Sequence, residues 1–594
     1  MKQVTSRNYM KICLFLFCMF ASMLSPLVYE SVTAQIPTGG DLKIGLPDEI
    51  DNFNPYTRIM AASGSVVGLI YESLLRMDLK GVYHPGLAVN YTVSADGLTW
   101  RFILVRNATW HDGTKFTSKD VKFTFDIIIN STYTAKLDKY KLRDYIGSIE
   151  TPSDYEVVFK LKKPWAPFLY YVGAFYLIVP QHVFSKVNIT EFKNMENPIG
   201  TGPFKFKKYT PGASVELEAN TAYWGGRPYV NRVIFVLYKS TSSMMLALQA
   251  GDVDTVSAVT IDPAIVPTFL KDPKIRVEIL PGSIIRFLGF NLKRYPWSVR
   301  EVREAIAYAI DKKAIVDTVM LGYADPAPDG WVPDYLGIWR NPKITYRPFN
   351  LTKANEILDK LGFLKGPDGI RVTPNGTKLS GTILTISGRA EFERTAELIS
   401  GWLKQIGIDV KVLALSLGTV DEREGVGDFD LGLMGLGVPL EVDWHLFERF
   451  HSSASRPLGV YAPRNWMRYE NPEMDQLLVA QREEMNLQKR IQIVYKIQEI
   501  IARDLPLLAL YTKHSILAYR VDKFTGWGAG DVSTWGVTGA TALRSVHLIP
   551  PPPVKEVEVP VPYIPMWVWG VIAILIVVSG ASGFIAYRYR ARKA

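Results

Sequence analysis

Residues 566–587 read MWVWGVIAILIVVSGASGFIAY, a run with no charged side chain. At about 1.5 Å per residue, a helix of this length crosses a hydrocarbon core of roughly 30 Å. Trp567, Trp569 and Tyr587 stand at its ends, where amphipathic rings settle at the membrane interface. Arg588, Arg590, Arg592 and Lys593 follow at once, and basic clusters of this kind stay on the cytoplasmic side. The run predicts one transmembrane helix near the C-terminus. Residues 588–594 then form a cytoplasmic basic tail, and everything before residue 566 lies outside the cell.

The other terminus fits that topology. Lys2, Arg7 and Lys11 precede the apolar run Ile12 to Leu24, and Val32-Thr33-Ala34 offers a small-residue cleavage site. This is the layout of a secretory signal peptide over residues 1–34, with cleavage expected after Ala34 and an uncleaved anchor as the alternative. Cys13 and Cys18 are the only cysteines and both lie in that segment. Disulfides, thiolate catalysis and Cys-ligated metals are therefore excluded from the exported chain. Six N-x-S/T sequons, beginning at Asn90, Asn107, Asn130, Asn188, Asn350 and Asn375, suit an exported surface. The net charge of +10 comes largely from the two termini. No stretch concentrates Lys and Arg as a nucleic-acid footprint would, so no nucleic-acid partner is expected.

Between these segments the chain is too long for one core, which predicts two or three lobes. Strand-like alternation in Trp100–Leu104 and Val157–Leu161 alternates with helical periodicity. Thr117 with Asp120 makes a capping-box pattern before Val121, Phe125 and Ile128, and Ser298 with Glu301 predicts the same before Val302 and Ile306. Asp311 reads as the cap of the next helix, and Glu391–Gln405 is helical with Gly407 suited to its left-handed end. A helix over Leu487–Arg503 stops ahead of Pro506, and LLALY then supplies a buried strand. The fold class is α/β, with helix-covered sheets. Residues 548–565, LIPPPPVKEVEVPVPYIP, read as a semi-rigid proline-rich stalk.

Catalytic signatures are missing. There is no H-E-x-x-H, G-x-S-x-G or P-loop, and no G-x-G-x-x-G behind a strand. Gly200-Thr201-Gly202-Pro203 reads as a tight turn into a strand. His445, Glu448 and His451 have a spacing that could gather metal ligands on a broad helix face. Solvated helix residues are the plainer reading, and neither metal nor cofactor nor catalytic residue is expected. Aromatic side chains make up 12% of the chain, and several of them flank turns: Trp110, Trp297, Trp331, Trp444, Trp466 and Trp535. Ligand clefts use aromatic walls with a few placed polar groups. Asp443-Trp444 sets a carboxylate beside a ring, and with Trp466 it enters the candidate ligand site.

Taken in order, longer motifs carry a resemblance. GGDLKIGLPDEIDNFNPYT (39–57), IYESLL (70–75), DGLTWRFILVRNATWHDGTKFTSKDVKFTFD (96–126) and GTGPFKFKKYTPG followed by NTAYWGGRPYVNRVIFVLY and ALQAGDVD (200–254) all contribute. GFNLKRYPWSVREVREAIAYAIDKKAIVDTV, ANEILDKLGF and YKIQEIIARDLPLLALY continue the series. The chain resembles the family 5 extracellular solute-binding proteins, the dipeptide, oligopeptide and nickel group that serves ABC importers. The resemblance implies a class II periplasmic-binding-protein fold, two lobes closing on a cleft, with an extra domain. By analogy lobe I takes residues 35–76, 200–283 and 512–547, the extra domain 77–199, and lobe II 284–511. Its expected partners are a peptide, or alternatively an oligosaccharide, and the permease and ATPase subunits of the importer. Peptide-binding relatives place an acid on the ligand's ammonium group. Aligned on Phe447, that position is Leu440 here, with Glu441 one residue away and Asp443 matching the second acid. Glu441 therefore joins Asp443, Trp444 and Trp466 as an expected ligand-binding residue.

Overall fold

The computed structural model describes residues 36–549 apart from 48, 79, 131–140, 257–260, 529–542 and 544. The segments expected to be a signal peptide, a transmembrane helix and a basic tail, together with Trp535, lie outside the described residues. So does the stalk, except for Leu548 and Ile549, where Leu548 still pairs with Phe524 in a short strand. Among the described residues, no helix is long and apolar enough to cross a membrane.

One sheet of eleven strands runs through the molecule. From one edge its order is Asp409–Leu415, Ser380–Ile386, Leu431–Gly437, Ile275–Phe290, Leu507–Arg520, Thr255–Val256, Asp41–Leu46, Arg232–Leu237, Ser214–Ala219 and Phe204–Thr210. A short strand, Ala324–Pro326, also pairs with Leu507–Arg520. A separate four-stranded antiparallel sheet has the order Ala88–Val93, Thr99–Leu104, Glu156–Leu161, Ile146–Ser153. The architecture is α/β, as read from the alternation.

The buried side chains form two main cores. One gathers residues such as Leu42, Ile44, Val233 and Phe235 with Trp100, Phe102, Phe159 and Phe168 of the four-stranded sheet. That sheet therefore shares a core with the first lobe. The other core holds Ile285, Phe287, Leu384, Leu433 and Leu508 with the helices around them. The two long strands, Ile275–Phe290 and Leu507–Arg520, pair antiparallel along their length. Their register breaks between Leu280 and Ile284. At that break a Cβ on Gly282 would lie 1.2 Å from the carbonyl oxygen of Lys513, so only glycine lets the strands approach this closely.

Local chemistry accounts for several helix starts and ends. The Thr117 amide donates to the Asp120 carboxylate at 2.9 Å, the predicted capping box, ahead of the helix Ser118–Ile129. Asp311 accepts from the Ala314 amide at 2.9 Å. Gly407 takes φ +81° just beyond the helix Ala390–Gln405. Gly200 and Gly202 form the expected turn, backed against Leu69 and Ile70 so tightly that a Cβ at Gly200 would lie 1.9 Å from the Ile70 oxygen. Ser298 departs from expectation. The helix begins at Arg300 behind Val299, with no side-chain cap. A turn closed by Ser298 N–H to Arg294 O and Val299 N–H to Pro296 O delays the first helical residue past Ser298. Arg303 braces that start by donating to the carbonyls of Trp297 and Ser298, both at 2.9 Å.

Candidate functional site

Three of the four expected ligand-binding residues come together at the start of one short helix, Asp443–Phe450. No side chain caps it. The Asp443 amide donates instead to Glu441 Oε1 at 3.0 Å, and Asp443 occupies the first turn, where the helix dipole favours an acid. Two following helices bring the partners. Pro472–Glu483 starts on Asn471, which accepts from the amides of Glu473 and Met474, and carries Gln481 and Arg482 in its last turn. Leu487–Asp504 starts on Asn486 and carries Arg490 in its first turn.

The acids are fully engaged. Asp443 Oδ1 accepts from Gln481 Nε2 at 2.5 Å and from Arg482 Nε at 2.6 Å, and Oδ2 faces the Tyr171 hydroxyl at 3.4 Å. Glu441 accepts from Arg490 Nη2 at 2.5 Å and Nη1 at 3.3 Å. Gln481 Oε1 links the pairs by accepting from Arg490 Nε at 3.2 Å. All five groups of the network below Tyr171 are buried. Burial opposes the charge on Arg482, but the adjacent Asp443 carboxylate outweighs it and holds the guanidinium above its ordinary value. Arg490 is raised in the same way, against burial, by Glu441. The Tyr83 hydroxyl is pushed well up by burial and by the Glu441 charge.

This network spans the two halves. Tyr171 belongs to the first core and Asp443 to the second half, and the Trp444 ring packs against the first core. Ala166 N–H donates to the Arg482 carbonyl at 2.7 Å, and Lys163 pairs with Glu483 at 2.6 Å. The guanidinium of Arg464 lies 5.2 Å from the Trp444 ring centroid. Each acid is already hydrogen-bonded to an arginine. The arrangement can hold two lobes against one another.

Trp466 lies elsewhere. It is buried in the second core, its ring parallel to Phe287 at 6.4 Å between centroids, with the Arg449 guanidinium 4.8 Å away. His445, Glu448 and His451 do not converge: His445 is buried, whereas His451 stacks on Phe447 at 4.3 Å and accepts from the Ser453 amide. Among the described residues, no group of three His, Cys, Asp or Glu side chains is placed to hold a metal. Sequence reasoning missed Gln481, Arg482 and Arg490. Their only local sign was the pair Gln481-Arg482 interrupting an otherwise apolar helix face.

Residues 82–456 match the family described as bacterial extracellular solute-binding proteins, family 5, over its middle region. The chain belongs to this family. The oligopeptide-binding protein AppA of Bacillus subtilis is 29% identical over 495 residues, spanning 81% of this chain and 87% of that protein. The structure of AppA in complex with a nonapeptide superposes with a TM-score of 0.72 at 26% identity, covering 87% of this chain and 100% of that one. NikZ from Campylobacter jejuni, solved in complex with Ni(L-His), superposes with a TM-score of 0.73 at 26% identity, covering 85% and 99%. A family 5 member of this kind has the class II binding-protein fold.

Proposed function

We propose that this family 5 protein is the extracellular receptor of an ABC importer, that it captures peptides, and that it delivers them to a permease. The observation that carries this reading is the match along almost the whole described chain to a protein named for oligopeptide binding, also solved with a nonapeptide. Function then follows from differential binding. A solute touching both lobes stabilises the closed arrangement over the open one, by as much as its contacts differ between the two. No covalent chemistry is required, and the protein is not an enzyme in this account.

With lobe boundaries at 283/284 and 511/512, the hinge of this reading lies beside Gly282 and Lys513; the register shift between the two long strands there supports it. Residues 1–34 act as a signal peptide and residues 566–587 as a single membrane span, with the C-terminus in the cytoplasm. The tether keeps the receptor at high effective concentration beside its permease. An oligosaccharide cargo is the second reading. It is favoured by Glu441 and Asp443 already being paired with arginines, which leaves neither free for a peptide ammonium group.

The test is a thermal-shift screen of the full chain against peptide pools and against cello- and malto-oligosaccharides. A ligand at a hundredfold excess over its Kd stabilises the folded state by about 2.7 kcal/mol. Peptides are expected to raise the melting temperature. Stabilisation by the oligosaccharides with no response to peptides would overturn the peptide reading.

A further inference from the structure

The helix that carries Asp443 also carries His445 and Arg449, one turn apart, and the interlobe network uses neither. Arg449 is 4% exposed and His445 2%. The guanidinium carbon of Arg449 lies 5.2 Å from the ring centroid of Phe287, 5.6 Å from that of Trp331 and 4.8 Å from that of Trp466. Rings can cover the flat faces of a guanidinium, but its N–H groups point outward from the edge and need acceptors. Nε and Nη1 of Arg449 have none.

Among the described residues, eight arginines are buried, and the other seven all meet acceptors. Arg482 and Arg490 take carboxylates at 2.6 and 2.5 Å. Arg303 donates to four backbone carbonyls, those of Trp297, Ser298, Asp504 and Leu505. Arg449 is the exception, and its neighbours share the deficit. Nε1 of Trp331, Nε1 of Trp466, both ring nitrogens of His445 and Oε2 of Glu424 are buried without a partner.

Glu424 acts on Arg449 only through its charge, with no hydrogen bond between them; burial pushes the Glu424 carboxyl up to about 8 against the lowering effect of Arg449. His445 is pressed down to about 3 by burial and is neutral. Arg449 is pressed down to about 9 by burial and stays cationic. The Arg449 guanidinium therefore has no hydrogen-bonded counter-ion among the described residues, and two indole N–H donors without acceptors lie beside it. Folded proteins pair nearly all buried polar atoms, and charge-assisted hydrogen bonds from arginine to a carboxylate are among the strongest available. Trp331 adds an independent sign. Its φ of +75° is left-handed for a residue other than glycine, a conformation that costs about 1–3 kcal/mol and collects at ligand clamps. The cluster sits just beneath the interlobe contact. Asp443 and Trp444 immediately precede His445, and Tyr335, four residues beyond Trp331, bonds to the Val438 carbonyl.

We propose that Arg449, with the indole N–H groups of Trp331 and Trp466, forms a buried subsite in the second lobe for a carboxylate of the cargo. The inference rests on the peptide-receptor reading and deepens it: the acidic group of the peptide is recognised, and the ammonium group is not. A C-terminal carboxylate and an acidic side chain share this chemistry.

Calorimetric titration of the full chain with three pentapeptide pools tests it. The pools carry a free C-terminus, an amidated C-terminus, or an amidated C-terminus plus one glutamate. In the native protein, amidation is expected to weaken binding about tenfold or more, the range of a charge-assisted hydrogen bond. Recovery with the glutamate pool assigns the subsite to an acidic side chain, and no recovery assigns it to the C-terminus. Arg449→Met should abolish the difference between acid and amide pools, and Trp466→Phe, which keeps a ring and removes only the N–H, should reduce it. Equal binding of acid and amide pools by the native protein, or a difference that survives Arg449→Met, would overturn the subsite. Failure of every pool to bind would contradict the peptide reading instead. Succinate titration followed by indole fluorescence then decides the subsite alone: a change lost in Arg449→Met retains it, and no change in the native protein removes it.

Discussion

One eight-residue helix treats buried charge in two opposite ways. At its first residue Asp443 is completely buried and bound to Arg482, Gln481 and Tyr171. Less than two turns later Arg449 is also buried, and its Nε and Nη1 meet no acceptor. A buried ion pair satisfied within the chain holds structure, and removing one partner strands the other in a low dielectric. A buried cation whose N–H groups lack acceptors carries a desolvation cost that ring contacts offset only in part, and this points to a ligand. The lesson is that exposure alone does not locate a binding group. What separates the two regions is whether the partner is already part of the chain.

The contrast can be broken by substitution. Asp443→Ala leaves the Arg482 guanidinium buried and unpaired, with an expected loss of about 3–5 kcal/mol in folding stability, read as a marked fall in melting temperature. Arg449→Met should leave the melting temperature of the ligand-free protein unchanged or raised, since it removes a buried charge with no hydrogen-bonded counter-ion. Equal destabilisation by both substitutions would erase the distinction. On the binding side, Trp444→Ala should weaken cargo affinity at least about tenfold, or 1.4 kcal/mol, in calorimetric titration. Unchanged affinity would remove this ring from the site.

A titration sharpens the description of the Arg449 cluster. The Glu424 carboxyl has an ordinary value of 4.5 and is raised by burial to about 8 in the folded chain. Between these values the folded form keeps the proton that the unfolded form has released. Stability is therefore fully supported below about 4.5 and is lost as pH rises towards 8, by up to about 1.4 kcal/mol per pH unit. Glu424→Gln should remove this slope, so that the native protein loses stability relative to the variant across that window. Parallel curves for the two proteins would mean that Glu424 is ionised when folded. The smallest effect belongs to the surface. Lys163 and Glu483 remain 43% and 36% exposed, and Lys163→Met should change stability by no more than about 0.5 kcal/mol, less still in high salt.

Much of this was legible in the sequence where the cause is local. The capping box at Thr117, the Asp311 cap, the left-handed Gly407 and the turn at Gly200–Pro203 each depend on residues a few positions apart. The motif series from residue 39 onward carried the family. Non-local features were hidden. LLALY showed a buried strand but not that it continues to Arg520, because the half-buried polar stretch Lys513–Ser515 interrupts the apolar run. Ser298 matched a cap, yet the preceding turn carries the helix start past it. Glu441, Asp443, Trp444 and Trp466 were singled out as one ligand site. The first three meet at the interlobe contact, while Trp466 joins Phe287, Trp331 and Arg449 in the second core. Arg482 and Arg490 lie about 40–50 residues from the acids they hold, a separation at which no spacing rule operates.

The most direct measurement is the structure of the full chain with a bound pentapeptide that has a free C-terminus. The account predicts the peptide carboxylate on Arg449, with the indole N–H groups of Trp331 and Trp466 donating to it, and Asp443 still bound to Arg482. A peptide whose ammonium group displaces Arg482 from Asp443, with Arg449 making no contact to the ligand, would contradict it.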